Sequence, residues 1–167
     1  MDTPLSDDDV VFSHDPLDIV EHVLEAENLE FDRNERGDLT FVLSGDWRDF
    51  DLWFSWRAEV ECLQVLLAID LTFEPGQKGE ALELINIINA KTSLGHFEIW
   101  EDGSIIFRHG MALPAGDSPS LAQTAAMIDA AMEAADRFFP AFDFLIRGGK
   151  SASAAMAACM FDTVGEA

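Results

Sequence analysis

Four side chains able to do chemistry fall inside one short stretch, HFEIWEDGSIIFRH: His96, Glu98, Arg108 and His109. Two imidazoles and a carboxylate are a zinc or manganese ligand set, and equally a general acid–base set. Whether they meet depends on the turn between them. A two-residue turn at Asp102–Gly103 sets His96 opposite His109 and Glu98 opposite Phe107, giving a His, Glu, His face. A three-residue turn, Glu101–Asp102–Gly103, with Gly103 left-handed and a bulge, instead sets Phe97 against Phe107 and Ile99 against Ile105. Slipping by one residue exchanges core and solvent faces. Each exchanged aromatic or branched side chain is worth about 1.5–3 kcal/mol, against roughly 0–1 kcal/mol for an exposed ion pair. The bulged register is therefore predicted. It places His96, Glu98, Trp100, Ser104, Ile106 and Arg108 outward, makes Glu98 and Arg108 diagonal neighbours, and sends His96 and His109 to opposite faces.

The remaining motifs carry less. GGKS at 148–151 has the end of a phosphate-binding loop, but Phe144 stands where the first glycine belongs, and the context is helical. It reads as a helix stop and restart. DRNERGD at 32–38 resembles the start of a calcium loop, yet its fifth position is Arg36 and its twelfth Leu43, so the necessary carboxylates are missing. There is no GxSxG, HExxH or GxGxxG, and no tyrosine. With 32 acids, close carboxylate pairs arise by chance and do not define a glycosidase. Cys62 and Cys159 lie in apolar patterns without a CxxC or a nearby histidine, as buried reduced thiols do. Catalytic residues, metal and cofactor are all expected to be absent.

Composition limits the partners. The 32 acids against 10 bases give a formal charge of −22, which repels nucleic-acid phosphates and anionic membrane surfaces. A basic protein partner is compatible with it. No apolar run approaches the roughly 20 residues that span a bilayer, and the acidic opening MDTPLSDDDVVF lacks the basic character of a signal peptide. A cytoplasmic location is expected.

The elements that must position these residues follow from periodicity. Residues 1–13 read as a flexible acidic N-terminus and 14–167 as one domain. HDPLDIVEHVLEAEN starts a helix, with Asp15 as cap, Pro16 in the first turn and an apolar stripe of Leu17, Val20, Val23 and Leu24. From Leu29 to Phe73 the period becomes two, in four short strands with brief connections, hence antiparallel. Phe50, Leu52, Phe54 and Trp56 share one face of the third, with Trp56 in the core, and Leu63, Val65, Leu67, Ile69 and Leu71 share one face of the fourth. A second helix spans QKGEALELINIINAK. The hairpin follows. A third helix is predicted from about Ser118 to Phe138, with Leu121, Ala125, Ile128, Met132 and Ala135 on its stripe and a break or kink at Pro140. A last helix starts after Ser151. The fold class is α+β: a single twisted antiparallel sheet of five or six strands packed by the second and third helices, in the order α-β-β-β-β-α-β-β-α(-α).

Trp53 and Trp100 fall on the outward face in this register, with Ile106 beside Trp100. Apolar residues rimmed by charge mark a protein contact, unless a helix also covers that side. Both alternatives stand at this level.

The stretches LINIINAKTSLGHFEIWEDGSIIFRHG and FFPAFDFLIRGGKSASAAMAACMFDTVGEA resemble the YbjN family of small bacterial proteins, the second in its alphaproteobacterial branch. The resemblance extends over nearly the whole chain from Asp15. It implies a type III secretion chaperone-like fold, a cytoplasmic sensory-transduction regulator and no established reaction. Chaperones of that fold dimerise and hold an extended client segment against an apolar surface. The expected function is thus a non-enzymatic protein-binding module, a regulator or chaperone-like protein engaging a polypeptide partner through Trp53, Trp100 and Ile106, with a homodimer also compatible. The alternative is a small hydrolase or metalloprotein using His96, Glu98 and His109.

Overall fold

The computed structural model describes residues 15–114 and 116–162; the acidic segment 1–13 lies outside them. Helix α1 (Pro16–Ala26) is followed by strands β1 (Phe31–Arg33), β2 (Leu39–Ser44), β3 (Asp49–Arg57) and β4 (Cys62–Ala68). Then come α2 (Lys78–Asn89), β5 (His96–Ile99), β6 (Ile105–Ala112), α3 (Leu121–Ile146) and α4 (Ala152–Asp162). The six strands form one open antiparallel sheet in the order β1-β2-β3-β4-β6-β5.

Alternation decides which face is buried. Phe41, Phe50, Leu52, Phe54, Leu63, Val65, Leu67, Phe97, Ile105 and Phe107 share one side and are each at most 4% exposed. The helices pack there: α1 on β3, α2 on β5, and α3 on β4 and β6. Phe97 is the centre of this packing, with its ring 5.2 Å from Phe107 and from Phe142 and 6.2 Å from Phe138. Helix α4 lies outside that layer, against α2 and α3. The sheet is thus covered by three helices, α1 included, rather than by α2 and α3 alone.

Two expectations for α3 are corrected in part: there is no break at Pro140, and the buried stripe is shifted. The helix runs without interruption through Pro140, which is buried, to Ile146. Pro140 costs one backbone hydrogen bond, and the flanking Phe138, Phe139, Ala141 and Phe142, all buried, hold the turn in place by packing. The buried residues before Pro140 are Thr124, Met127, Ala131, Ala134, Ala135, Phe138 and Phe139; of the predicted stripe Ala135 is buried, Ile128 and Met132 pack half-buried against the core, and Leu121 is 60% exposed. An alanine-rich helix offers several stripes of similar hydrophobicity, and only the large aromatics near its end choose among them. Trp56 is half-buried rather than fully enclosed.

Each sheet edge is tied to a helix by side chains. At β5 the Asn89 side-chain amide, projecting from the end of α2, accepts from Phe97 N at 2.8 Å and donates to Phe97 O at 3.0 Å, as a neighbouring strand would. At the opposite edge, Arg33 of β1 reaches Asp15, Asp18 and Glu21 of α1, at 3.3, 3.1 and 2.5 Å. Open edges invite pairing with other chains, so the Asn89 contacts disfavour strand addition at β5.

Asn89→Ala leaves Phe97 N–H and C=O without their partner. It is expected to lower unfolding free energy by about 1–3 kcal/mol, read by denaturant titration, and to accelerate hydrogen exchange at the Phe97 amide.

Candidate functional site

The β5–β6 hairpin settles the histidine question. Gly103 has φ +86°, Gly103 N donates to Trp100 O at 2.9 Å, and Trp100 N donates to Ser104 O at 2.9 Å. Asp102 accepts from Ser104 N at 2.9 Å and locks the turn. The register pairs Phe97 with Phe107, Ile99 with Ile105, Glu98 with Ile106 and His96 with Arg108. This is the bulged arrangement predicted from hydrophobic transfer. His109 pairs with Val65 on the helix-covered side, while His96 points to the other side. The His96, Glu98, His109 constellation does not form. Among the described residues no three His, Cys, Asp or Glu side chains converge as metal ligands would.

Glu98 is instead a structural hub. Its Oε1 accepts from Arg108 Nη2 at 2.6 Å and Nε at 3.1 Å, and from Trp100 Nε1 at 2.6 Å, while Oε2 lies 3.1 Å from His96 Nε2. Arg108 Nη1 continues the chain to Gln64 at 2.9 Å. Partial burial pushes the Glu98 carboxyl up, but the hydrogen bonds from Arg108, Trp100 and His96 and the Arg108 charge outweigh it. The carboxyl is held below its ordinary range. A carboxylate saturated by donors is a poor general base, and its evident work is to fix the Trp100 indole.

That indole reaches far. Trp100 follows the edge strand β5, Trp53 lies on β3, and β6 and β4 run between them. Three strand spacings are about 14 Å, yet the two ring centroids are 6.0 Å apart in an edge-to-face pair at 74°. The indoles therefore lean towards each other across β4 and β6. This accounts for Leu66 at 3% and Ile106 at 2% exposure on a face that no described helix covers. Ile106 has the predicted orientation, but it is the floor of the patch and not part of its surface. Trp53 is half-buried and Trp100 is 38% exposed.

Two hollows open on this face and share Trp53. One, of about 910 Å³, is lined by Leu29 to Asp32, Thr40 to Val42 and Asp51 to Trp53. The other, of about 460 Å³, is lined by Arg36, Asp38, Arg57, Arg108, Gln64 and Leu66 together with Trp53, Ser55, Trp56 and Trp100. No helix residue lines either. Arg108 was expected outward beside Glu98, whereas Leu66, Gln64, Arg36 and Arg57 were not among the expected site residues. The consecutive apolar pairs Leu66–Leu67 and Ile105–Ile106 break strand alternation in the sequence and are the signal that could have located the patch floor.

The rejected motifs are structurally occupied. Asn34 Oδ1 accepts from the backbone N–H groups of Arg36 and Asp38, at 2.9 and 3.0 Å, closing a turn where a calcium loop would need free carboxylates. Residues 148–151 join α3 to α4, Ser151 Oγ accepts from Ala154 N, and Glu80 accepts from Ala152 N at 2.7 Å, so a carboxylate already sits on the α4 N-terminus. Buried Cys159 donates to the Arg137 carbonyl at 3.1 Å. No helix is long and apolar enough to cross a membrane, among the described residues.

An open antiparallel sheet with helices on one face and an aromatic patch on the other defines an open-sheet α+β fold. Two solved structures share it. Escherichia coli YbjN, described as a "putative transcription regulator", gives a TM-score of 0.54 at 11% identity, over 74% of this chain and 87% of that one. The HopA1–SchA chaperone–effector complex contains a chain giving 0.53 at 11% identity, over 71% and 88%. Residues 16–144 match the model of the YbjN family, described as "Putative bacterial sensory transduction regulator", and the chain belongs to that family. No curated protein matches the sequence.

Burial holds the His109 imidazole below its ordinary value of about 6.5. The unfolded chain then takes up a proton more readily than the folded one. Stability is full above about pH 6.5 and falls as pH drops below it. Thermal melts between pH 7.5 and 5 are expected to show this loss, with a reduced slope in His109→Gln. Glu98 contributes in a separate window below about 4.5, the ordinary carboxyl value. Glu98→Gln should abolish that acid loss and weaken the near-ultraviolet circular dichroism of the tryptophan pair.

Proposed function

We propose that this chain is a non-enzymatic protein-binding module, a regulator or chaperone-like protein. It engages a polypeptide partner through the helix-free face of its sheet. Trp53 and Trp100 make the contact, and Ile106 with Leu66 forms the apolar floor beneath them. The observation that carries the reading is the indole pair itself. Two tryptophans meet at 6.0 Å across intervening strands, fixed by Glu98, on a face left without a helix among the described residues. Rigid aromatics over a dry floor and within a charged rim are the usual anatomy of a binding hot spot. The family description and the chaperone–effector complex among the structures of similar fold support it.

The proposed location is the cytoplasm. The charge of −22 favours a basic partner at long range, through the summed field rather than any one contact. A second copy of the chain is the competing occupant, and like charge on both copies opposes it.

The test is capture from lysate of the source bacterium, repeated with Trp53→Ala and Trp100→Ala. Each change is expected to reduce recovery of the enriched protein at least tenfold, the loss typical of a hot-spot aromatic, with the melting profile retained. Enrichment indifferent to both changes refutes the reading. Light scattering that gives a dimer disrupted by Trp53→Ala reassigns the face to self-association.

A further inference from the structure

The two hollows on either side of Trp53 differ sharply in charge. The larger one is lined by Glu30, Asp32 and Asp51 and by no lysine or arginine. None of the three carboxylates makes an ion pair among the described residues. The smaller hollow is lined by Arg36, Arg57 and Arg108 with one acid, Asp38. The chain has only seven arginines in 167 residues, so three around one hollow of a protein charged −22 are a marked local concentration.

The arginines are not equivalent. Arg108 is spent on Glu98 and Gln64 and shapes the floor. Arg57 gives Nε and Nη2 to Glu59 and keeps its remaining donors. The Arg36 guanidinium makes no ion pair among the described residues. It stands on the β1–β2 turn, which Asn34 and Asp38 hold in shape, Asn34 Nδ2 donating to Asp38 at 3.1 Å. A cation presented from an ordered turn at the mouth of a hollow, with an indole wall beside it, suits a carboxylate. The exposed ammonium or guanidinium of a partner suits the acidic hollow by the same logic of complementary potential.

We propose that the partner segment on this face is an extended, charge-dipolar peptide. Its basic end lies over Glu30, Asp32 and Asp51, one apolar side chain rests on Trp53, and its acidic end enters between Arg36 and Arg57. This deepens the protein-binding reading and rests on it. Asp51 and Arg57 are six residues apart on β3, about 20 Å along the strand, which about six extended residues span. Long-range attraction of a basic partner and short-range capture of one acidic group are then separate steps: the field of the whole chain draws the partner in, and the arginine hollow sets its register. The segment runs along β3 by side-chain contacts, away from the β5 edge that Asn89 caps.

The test is selection from a random twelve-residue peptide library displayed on phage, against the full chain and against Arg36→Glu, Arg57→Gln, the pair Asp32→Asn with Asp51→Asn, and Trp53→Ala. Circular dichroism melts check that each variant folds. Wild-type selection is expected to enrich peptides with Lys or Arg and Asp or Glu about six positions apart, flanking an apolar residue. Recovery of those clones should fall at least tenfold on Arg36→Glu and severalfold on Arg57→Gln. On the double asparagine variant the preference for the basic end should disappear. Enriched clones that are uniformly basic or uncharged, or dipolar clones that bind Arg36→Glu as well as wild type, overturn the inference. The protein-binding reading survives that result if Trp53→Ala still removes binding. Absence of any enrichment sinks both.

Discussion

The register of one hairpin carries this molecule. Gly103 adopts a left-handed backbone that other residues reach only with strain, and the extra residue it accommodates sets Phe97 against Phe107. Phe97 is then the ring around which Phe138 and Phe142 of α3 assemble. The same step places Glu98 and Arg108 on the opposite side, where they hold Trp100. Core and candidate site are two faces of one decision about pairing. A slip by one residue would exchange them and would expose the phenylalanines.

The two sides of the sheet are stabilised differently. On the helix side, burial of large apolar side chains dominates, and polar groups are few. On the open side, a partly buried ionic network of His96, Glu98, Arg108 and Gln64 surrounds an apolar strip only two tryptophans wide. Isolated surface ion pairs contribute little, but a carboxylate that accepts from Arg108 and from Trp100 at 2.6 Å each restrains an aromatic ring that would otherwise move freely. Restraint of that kind lowers the entropy lost on binding. It is consistent with a surface that is preformed for contact rather than one awaiting rearrangement.

The edges show the same economy. Asn89 stands in for a missing strand beside β5, and three carboxylates of α1 tie down Arg33 on β1. The Asn89 contacts protect the β5 edge against indiscriminate pairing, and the Arg33 ion pairs fasten β1 to α1. On the face that no described helix covers, the tryptophan pair lies over the inner strands and Arg36 and Arg57 stand at strand ends.

Much of this was legible in the residues. The period-two runs, the Asp15 and Ser151 caps and the balance of transfer energies around Gly103 gave the element order, the hairpin register and the separation of His96 from His109, because each is decided by near neighbours. The alanine-rich helix α3 did not reveal its buried stripe, since several faces are nearly equal until Phe138 and Phe142 meet Phe97. The helix continues through Pro140 because packing from distant elements outweighs one lost hydrogen bond. Nor could spacing show that Trp53 and Trp100 touch, that Ile106 and Leu66 lie dry beneath them, or that Arg36, Arg57 and Arg108 gather at one hollow. Those residues are far apart in the chain, and their proximity depends on strand order across the sheet. Local pattern set the elements and their faces; the order β1-β2-β3-β4-β6-β5 decided which side chains share a surface.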